Sequence, residues 1–386
     1  MIKLMHLGDL HLGKSLSDFD LIRDQQYMID QILSIADRES VDGVLIAGDV
    51  YDKSIPSEAA TRLLDYFLIE LAKKKRKVFM ISGNHDSDDR LNYGSALFAS
   101  NQIFISAVFD GTLHKETMTD GDTVTDIYML PFVKASQVRH FFPDEEIESY
   151  DDAVRTIIKN TSMNMNHRNI LIAHQFVAGK GEDPAMAGSE NLGTQSVGTV
   201  EKIGYDCFDD FEYVALGHIH SPQRVGRDGI RYAGSPLKYS LNEASNEKSV
   251  PIISISGSDM IKIDLLPLKP LRDLRHIRGK MVDLLDQKPL NASEDFIYVT
   301  LTDEDLIDDA MGRFQQIYPN SVRIDYDNSH TREVEMVDIS RIADRKSFTD
   351  LIGDFYRMMY GCEMTDEEMA VMRMAAREAG VIHEAD

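Results

Sequence analysis

Apolar runs of strand length recur along the chain, and each is closed by a polar cluster. Ile2 to Leu7, Val41 to Ala47, Val78 to Ser82, Asn169 to Ala173 and Tyr213 to Leu216 are rich in aliphatic or β-branched side chains. Such runs read as buried strands. Two stretches with helical spacing separate the first three. Asp20 to Arg38 places Leu21, Ile22, Tyr27, Ile29, Ile32, Leu33 and Ile35 close to a 3.6-residue period, and Ser57 to Lys74 does the same with Leu63, Leu64, Phe67, Leu68 and Leu71 after Pro56. Strand, helix, strand, helix, strand predicts a parallel α/β beginning.

After about Ile103 the pattern becomes more strand-rich, through Val124 to Pro131, Ile230 to Ala233, Val250 to Ser256 and Met260 to Leu266. A second, partly antiparallel sheet follows from this. Pro267 and Pro270 mark a boundary, so the first domain is expected over 1–266. A small α+β unit over 267–335 carries a β segment at Phe296 to Leu301, a helix from Asp303 to Ile317 and a strand at Ser321 to Ile324. The remainder, 336–386, reads as helical. Phe348, Leu351, Ile352, Phe355, Tyr356 and Met359 lie at helical spacing, and Thr365-x-x-Glu368 has the form of a capping box opening a last helix.

The clusters that close the runs carry the chemistry. They are Asp9-x-His11, Asp49, Asn84-His85-Asp86, His174 and His218-x-His220, all but His174 introduced by Gly8, Gly48, Gly83 or Gly217. A glycine there is expected to turn the chain sharply at the strand end and send the next side chain into a shared crevice, where open α/β sheets bind ligands. An isolated histidine is ordinarily a surface or satisfied core residue, and His6, His114, His140, His167, His276, His330 and His383 are so read. Carboxylates, imidazoles and one amide gathered from distant segments are instead suited to two divalent cations side by side. A pair of that kind, roughly 3.5–4 Å apart, activates water for in-line attack by hydroxide on a phosphate ester.

Composition adds a constraint. Among 386 residues, 41 basic face 65 acidic side chains, a net charge of -24. Gripping DNA phosphates unaided relies on Lys and Arg releasing counterions. Either the substrate is small, or metals and a partner supply positive charge. Lys269, Arg272, Arg275, Arg278 and Lys280, with His276 among them, are a local exception, suited equally to a DNA backbone or to a solvated strand. Cys207 and Cys362 stand far apart in no C-x-x-C pattern, which argues against a disulfide framework or a zinc ribbon. The start lacks a signal-peptide hydrophobic region and no apolar run approaches membrane-spanning length, so a soluble cytoplasmic protein without a membrane is expected.

The order Gly-Asp-x-His, Gly-Asp, Gly-Asn-His-Asp, His, Gly-His-x-His resembles the calcineurin-like metallophosphoesterase superfamily, from Met1 to about Leu266. The resemblance implies a four-layer α/β/β/α sandwich. It places Asp9, His11 and His220 on a first metal, Asn84, His174 and His218 on a second, and Asp49 between both. His85, beside a ligand but assigned to neither metal, is then the catalytic group that stabilises the transition state and protonates the leaving oxygen. Asp86 either orients His85 or a metal ligand from behind, or caps a helix. Mixed oxygen and nitrogen ligands suit manganese, iron or zinc better than calcium, and two Mn2+ ions are expected, with magnesium less suited to so many histidines.

Three further stretches, Leu10 to Lys14, Leu216 to Gln223 and Tyr232 to Ser240, with Glu243 and Lys248 beyond, resemble the SbcD family, nuclease subunits of bacterial SbcCD exonucleases and kin of the double-strand-break repair nucleases. That implies an ATP-regulated 3′ to 5′ exonuclease on duplex ends and an endonuclease on single strands or hairpins, serving DNA repair, recombination and replication. It implies a capping domain, a C-terminal helical segment docking an SbcC-type ATPase through Phe348, Leu351, Ile352, Phe355 and Tyr356, and a homodimer within a heterotetramer. Leu64, Phe67, Leu91 and Tyr93 are the candidates for the dimer contact. Some relatives carry a histidine where this chain has Asp52, so that residue's role does not transfer. A stand-alone phosphodiesterase of small nucleotides and a non-catalytic DNA-end scaffold are the alternatives.

Overall fold

The computed structural model describes residues 1–179, 183–186, 202–257, 259–286 and 294–329, and the short stretches 352–353, 356–357, 364–365 and 368–373. The chain divides into two compact units, the first comprising Met1–Ile277, Leu285–Val299 and Asp309–Ile324, the second the intervening residues from Arg278 onward. In the first unit, two six-stranded sheets stack face to face. One runs in the order Lys262–Pro267, Ser249–Ile255, Ile2–Leu7, Gly43–Ala47, Lys77–Ile81, Ile103–Ser106. The other runs Gln223–Val225, Arg227–Tyr232, Tyr213–Gly217, Arg168–His174, Thr123–Leu130, His114–Asp120.

The near-continuous apolar runs are explained by burial on both faces. In Gly43–Ala47, Leu45 and Ala47 join the layer between the sheets, whereas Val44 and Ile46 face the helices. Ile170 and Ile172 likewise meet the opposite sheet, and Leu171 and Ala173 the outer helices. Successive side chains on a strand point to opposite faces, so a strand covered twice reads as unbroken apolar sequence. Helices Ile22–Arg38 and Glu58–Lys73 cover the first sheet, Ala135–Phe141 and Tyr150–Lys159 the second. The result is the four-layer α/β/β/α sandwich.

Ser57 caps Glu58–Lys73, its side chain accepting from Ala60 N at 3.2 Å, which satisfies one of the donors a helix start leaves open. Leu64, Phe67 and Leu91 are 6 %, 0 % and 7 % exposed and belong to the helix–sheet core. They are therefore not a dimer contact; of the four residues considered, only Tyr93, at 84 %, faces solvent.

Leu274–Gly279, Phe296–Leu301 and Ser321–Tyr326 form a three-stranded sheet with Phe296–Leu301 in the centre. The expected helix from Asp303 to Ile317 is shorter: it spans Ala310–Gln315, because Asp309 before it sits at φ +49°, in the left-handed region that a right-handed helix cannot include. Among the candidate partner-docking residues, Phe348, Leu351 and Phe355 lie outside the described residues, and Ile352 and Tyr356 are half-buried. The capping box is formed, with Thr365 N donating to Glu368 Oε2 at 2.8 Å and Glu368 N to Thr365 Oγ1 at 3.3 Å. No helix among the described residues is long and apolar enough to cross a membrane.

Candidate metal centre

All seven residues expected to hold metals meet at the C-terminal ends of the central strands of the two sheets. Asp9 and His11 follow Ile2–Leu7, Asp49 follows Gly43–Ala47, and Asn84 follows Lys77–Ile81. His174 ends Arg168–His174, and His218 and His220 follow Tyr213–Gly217. Every one of the seven except Asn84 is almost fully buried. Two loops are zipped together here, with His11 N donating to Asp49 O at 2.9 Å and Leu12 N to Val50 O at 2.9 Å.

The backbone at the site is unusual. Asp9, His11, Asp49 and His218 all have positive φ, at 53°, 42°, 48° and 97°. Side-chain residues rarely adopt this region, and each instance costs about 1–3 kcal/mol. The introducing glycines divide into two kinds. Gly48 has φ +79° and makes a turn of the expected sort. Gly83 and Gly217 do not turn through positive φ; a Cβ at Gly83 would overlap the Asp49 carboxylate, and one at Gly217 the Ala47 carbonyl. Their role is close approach: Gly83 lets two neighbouring loops of one sheet meet, and Gly217 brings the loops of the two sheets together.

The donor atoms converge in two groups joined by one oxygen. His11 Nε2 and His220 Nε2 are 3.0 Å apart. Asn84 Oδ1 lies 3.0 Å from His174 Nε2 and 2.9 Å from His218 Nδ1. Asp49 Oδ2 sits between the groups, 3.6 Å from His11 Nε2 and 3.3 Å from His174 Nε2. Two donors on one cation at about 2.1 Å stand about 3.0–3.4 Å from each other, so these spacings fit shared cations. Asp9 Oδ1 accepts from His218 N at 2.8 Å, while Asp9 Oδ2 is buried with no hydrogen-bond partner. A buried carboxylate oxygen left without a donor is costly unless a cation takes that place. Among the described residues, Asp9–His11–His220 and Asp9–Asp49–His174 each bring three donors within 4.8 Å.

The electrostatics agree. Burial disfavours the Asp49 carboxylate, yet the His174 and His11 imidazoles hold it well below the usual range. Burial opposes charge on His174 too, but Asp49 lifts it to about 9. Burial pushes Asp9 up to about 6 and His218 down to about 3. As protein groups alone, the cluster thus keeps a proton on the imidazole nearest Asp49, which is where positive charge is most needed. A divalent cation answers the same need more strongly.

Around the ligands, positions are fixed by hydrogen bonds. Asp86 accepts from Gly83 N, Val50 N and Tyr51 N at 2.9, 3.1 and 2.9 Å, so it ties the Asp49 loop to the Asn84 loop rather than orienting His85. His85 N donates to Asp49 Oδ1 at 2.9 Å, and its Nδ1 lies 3.0 Å from Asp52 O. The His85 ring stands edge-on to His11, centroids 4.8 Å apart. Asp52 carries an ion pair to Lys14 at 2.6 Å. Gln25, which sequence reasoning passed over, is 2 % exposed and donates to His11 O at 2.7 Å while its Oε1 accepts from Gly13 N at 2.9 Å. A polar residue on the apolar face of the first helix was the available signal.

Three of the five cations of the basic cluster, and its histidine, are engaged within the protein. Arg272 is paired with the buried Asp24 and stacks on Phe296 at 4.5 Å. Arg275 faces Asp295 at 3.2 Å, and Arg278 is paired with Asp327. His276 stacks on Tyr298 with centroids 4.3 Å apart. These partners favour a structural reading of Arg272, Arg275 and Arg278, while Lys269 and Lys280 are exposed.

Comparison with known proteins places this site in a family. Residues 2–222, the span that holds all seven ligand candidates, match the family described as calcineurin-like phosphoesterase. Residues 270–360 match the SbcD_C family, described as the type 5 capsule protein repressor C-terminal domain. The SbcD component of the SbcCD nuclease from Staphylococcus epidermidis is 33 % identical over 381 residues, covering 96 % of this chain and 95 % of that protein. A dimetal phosphatase from Danio rerio aligns with 70 % of this chain and 98 % of its own at 12 % identity and a TM-score of 0.38. The chain belongs to the calcineurin-like phosphoesterases and, within them, to the SbcD family.

Proposed function

We propose that this phosphoesterase is the metal-dependent nuclease subunit of an SbcCD-type complex, acting in the cytoplasm on DNA ends. The observation that carries the reading is the position of Asp49 Oδ2, 3.6 Å from His11 Nε2 and 3.3 Å from His174 Nε2, at the junction of two donor groups. Asp9, His11 and His220 would hold one cation, Asn84, His174 and His218 the other, with Asp49 placed to serve both. Mn2+ is the ion best matched to imidazole, carboxylate and amide donors together. When bound, two such ions supply Lewis acidity that neutralises phosphate oxygens and lowers the pKa of water.

The protein's own groups do the rest. His174 is held by Ala47 O at 2.7 Å from its Nδ1, so its Nε2 is directed at Asp49 and Asn84. His85 turns Nδ1 to the Asp52 carbonyl, which leaves proton transfer to the leaving oxygen as the task of Nε2. Asp86 keeps the two loops in register, so that His85 and Asp49 move as one body.

On this reading the substrate is DNA at duplex ends, hairpins and single strands, with 3′ to 5′ exonuclease and endonuclease action regulated by ATP. Residues from about 267 form the capping domain and those from about 336 the segment that docks an SbcC-type ATPase, two copies of each subunit making a heterotetramer. A partner that brings positive charge resolves the imbalance of 41 basic against 65 acidic residues. The test is Mn2+-dependent digestion of end-labelled hairpin DNA by the chain alone and with its ATPase. Hydrolysis of small phosphodiesters with no DNA cleavage under either condition would sink the nuclease reading.

A further inference from the structure

Among the described residues, one imidazole of the site has a buried carboxylate behind it, on the side away from the other ligands. His220 Nδ1 lies 3.4 Å from Glu243 Oε1, the two side chains being 2 % and 0 % exposed. The other three are supported differently. His174 Nδ1 meets the Ala47 carbonyl, and His218 turns Nδ1 itself toward Asn84. His11 Nδ1 makes no hydrogen bond, with Asp52 Oδ1 3.6 Å away.

Glu243 cannot wander. Its Oε1 accepts from Tyr239 N at 3.2 Å, and its Oε2 accepts from Ser235 Oγ at 3.2 Å and pairs with Lys248. Lys248 Nζ also donates to His220 O at 2.9 Å and to Ser235 Oγ at 2.8 Å. A closed circuit results: the His220 ring to Glu243, Glu243 to Lys248, and Lys248 back to the His220 main chain. Burying a carboxylate and an ammonium together is expensive unless their remaining valences are met, and here they are.

We propose that Glu243 is a positioning residue for the His220 half of the cation pair. By accepting a hydrogen bond from Nδ1–H it fixes the ring's tautomer and rotation, directs the Nε2 lone pair at the space shared with His11 and Asp9, and raises that nitrogen's basicity. The two cation positions are therefore unequal in what supports them. The Asp9–His11–His220 position depends on Glu243, and the Asn84–His174–His218 position does not. This rests on the two-cation reading above, and it explains why Ser235, Tyr239, Glu243 and Lys248 lie within one short stretch of chain after the last ligand.

The test is Mn2+ binding to the full chain by titration calorimetry and chelator competition, for the wild type, Glu243→Gln and the double variant Glu243→Gln/Lys248→Met. The double variant removes the ammonium that the single change leaves facing an uncharged amide, and circular dichroism establishes that each is folded. Glu243→Gln is expected to weaken one of the two Mn2+ equivalents by about 10–100-fold, and the other by no more than about threefold, in both variants. Two unchanged constants in a folded variant, or two constants weakened alike, would overturn the inference while leaving the two-cation reading in place. A wild type that takes up fewer than two ions would overturn both.

Discussion

Replacing His85 by alanine separates metal binding from proton transfer. The substitution removes the ring, with its 3.0 Å contact to Asp52 O and its edge contact to His11, but keeps the main-chain N–H that donates to Asp49 Oδ1 at 2.9 Å. Losing one neutral hydrogen bond of a half-buried group costs about 1 kcal/mol, so the variant remains folded. Since the bond to Asp49 survives, both Mn2+ equivalents are expected to stay. General acid catalysis is worth about 10²–10⁴-fold, which at about 1.36 kcal/mol per decade is about 2.7–5.4 kcal/mol of barrier. The loss should depend on the leaving group. Hydrolysis of DNA expels an alkoxide that needs a proton and should slow by the full factor; bis(4-nitrophenyl) phosphate expels a stable phenolate and should slow by less than about tenfold. Metal content by mass spectrometry and both rates on the same preparation decide it. An equal loss on the two substrates would refute leaving-group protonation by His85, and the absence of one metal would refute the division between ligands and acid.

Asp49→Asn keeps the side chain's shape but removes the charge between the donor groups; both Mn2+ equivalents should weaken together, seen by calorimetry, and loss of only one would contradict a bridging role. Gly83→Ala forces a Cβ into the Asp49 carboxylate. It should lower Mn2+ occupancy and melting temperature, at an overpacking cost of about 1–3 kcal/mol, and full occupancy would show that the loops have slack. A third prediction concerns pH. Asp126, 0 % exposed, receives Lys115 Nζ at 2.6 Å, Thr117 Oγ1 at 2.7 Å and His167 Nδ1 at 3.1 Å. Burial opposes its charge, but these donors hold its pKa below the ordinary 3.8. A depressed folded pKa gives stability that is fully present above the unfolded value and is lost as pH falls through the folded one. Asp126→Asn should therefore cost about 1.5–3 kcal/mol at pH 7 in urea unfolding, and the gap to wild type should close only below about pH 3.8. A gap that is already closed at pH 6 would mean that the charge contributes nothing.

Much of this architecture was legible because both sheets are covered on two sides. The runs at Gly43 to Ala47 and Tyr213 to Leu216 are apolar throughout for that reason, and ligands at their ends follow from parallel strand geometry. What the sequence hid was distance in space. Nothing in Gly83 or Gly217 distinguishes a turning glycine from one that admits a neighbouring loop; the difference appears only once the loops are packed, Gly83 against Asp49 after the adjacent strand and Gly217 against Ala47 of the other sheet. Leu64, Phe67 and Leu91 have the composition of a contact surface, but apolar spacing alone does not say which apolar residues the chain itself covers. Gln25 shows in the sequence only as a polar residue on the apolar face of the first helix, and Glu243 only as part of the stretch after the last ligand; neither position says which side chain it supports. The acidic residues from Asp303 look continuous with a helix that begins only at Ala310, because a single left-handed residue, Asp309, is invisible to periodicity.

The costs at the site point to why the fold surrounds it so thickly. Four candidate ligands sit in the left-handed region, at about 1–3 kcal/mol each, and Asp9 Oδ2 is buried without a donor. A typical domain is stable by only about 5–15 kcal/mol, so strain of this size has to be offset by something. Two core layers beneath the sheets and a third between them supply rigidity, but they act equally on any arrangement of the loops. On the proposed reading, what selects this arrangement is the cation pair, because a ligand that binds only the folded state stabilises it by about 2.7 kcal/mol at a hundredfold excess over its dissociation constant. On that reading the strained backbone and the orphaned carboxylate oxygen make folding of these loops and metal binding a single event. They also predict that chelation loosens the loops around Asp9, Asp49 and His218 first, with amide exchange rising there while the strands beneath stay protected; uniform protection with and without Mn2+ would show that the loops hold their strain unaided.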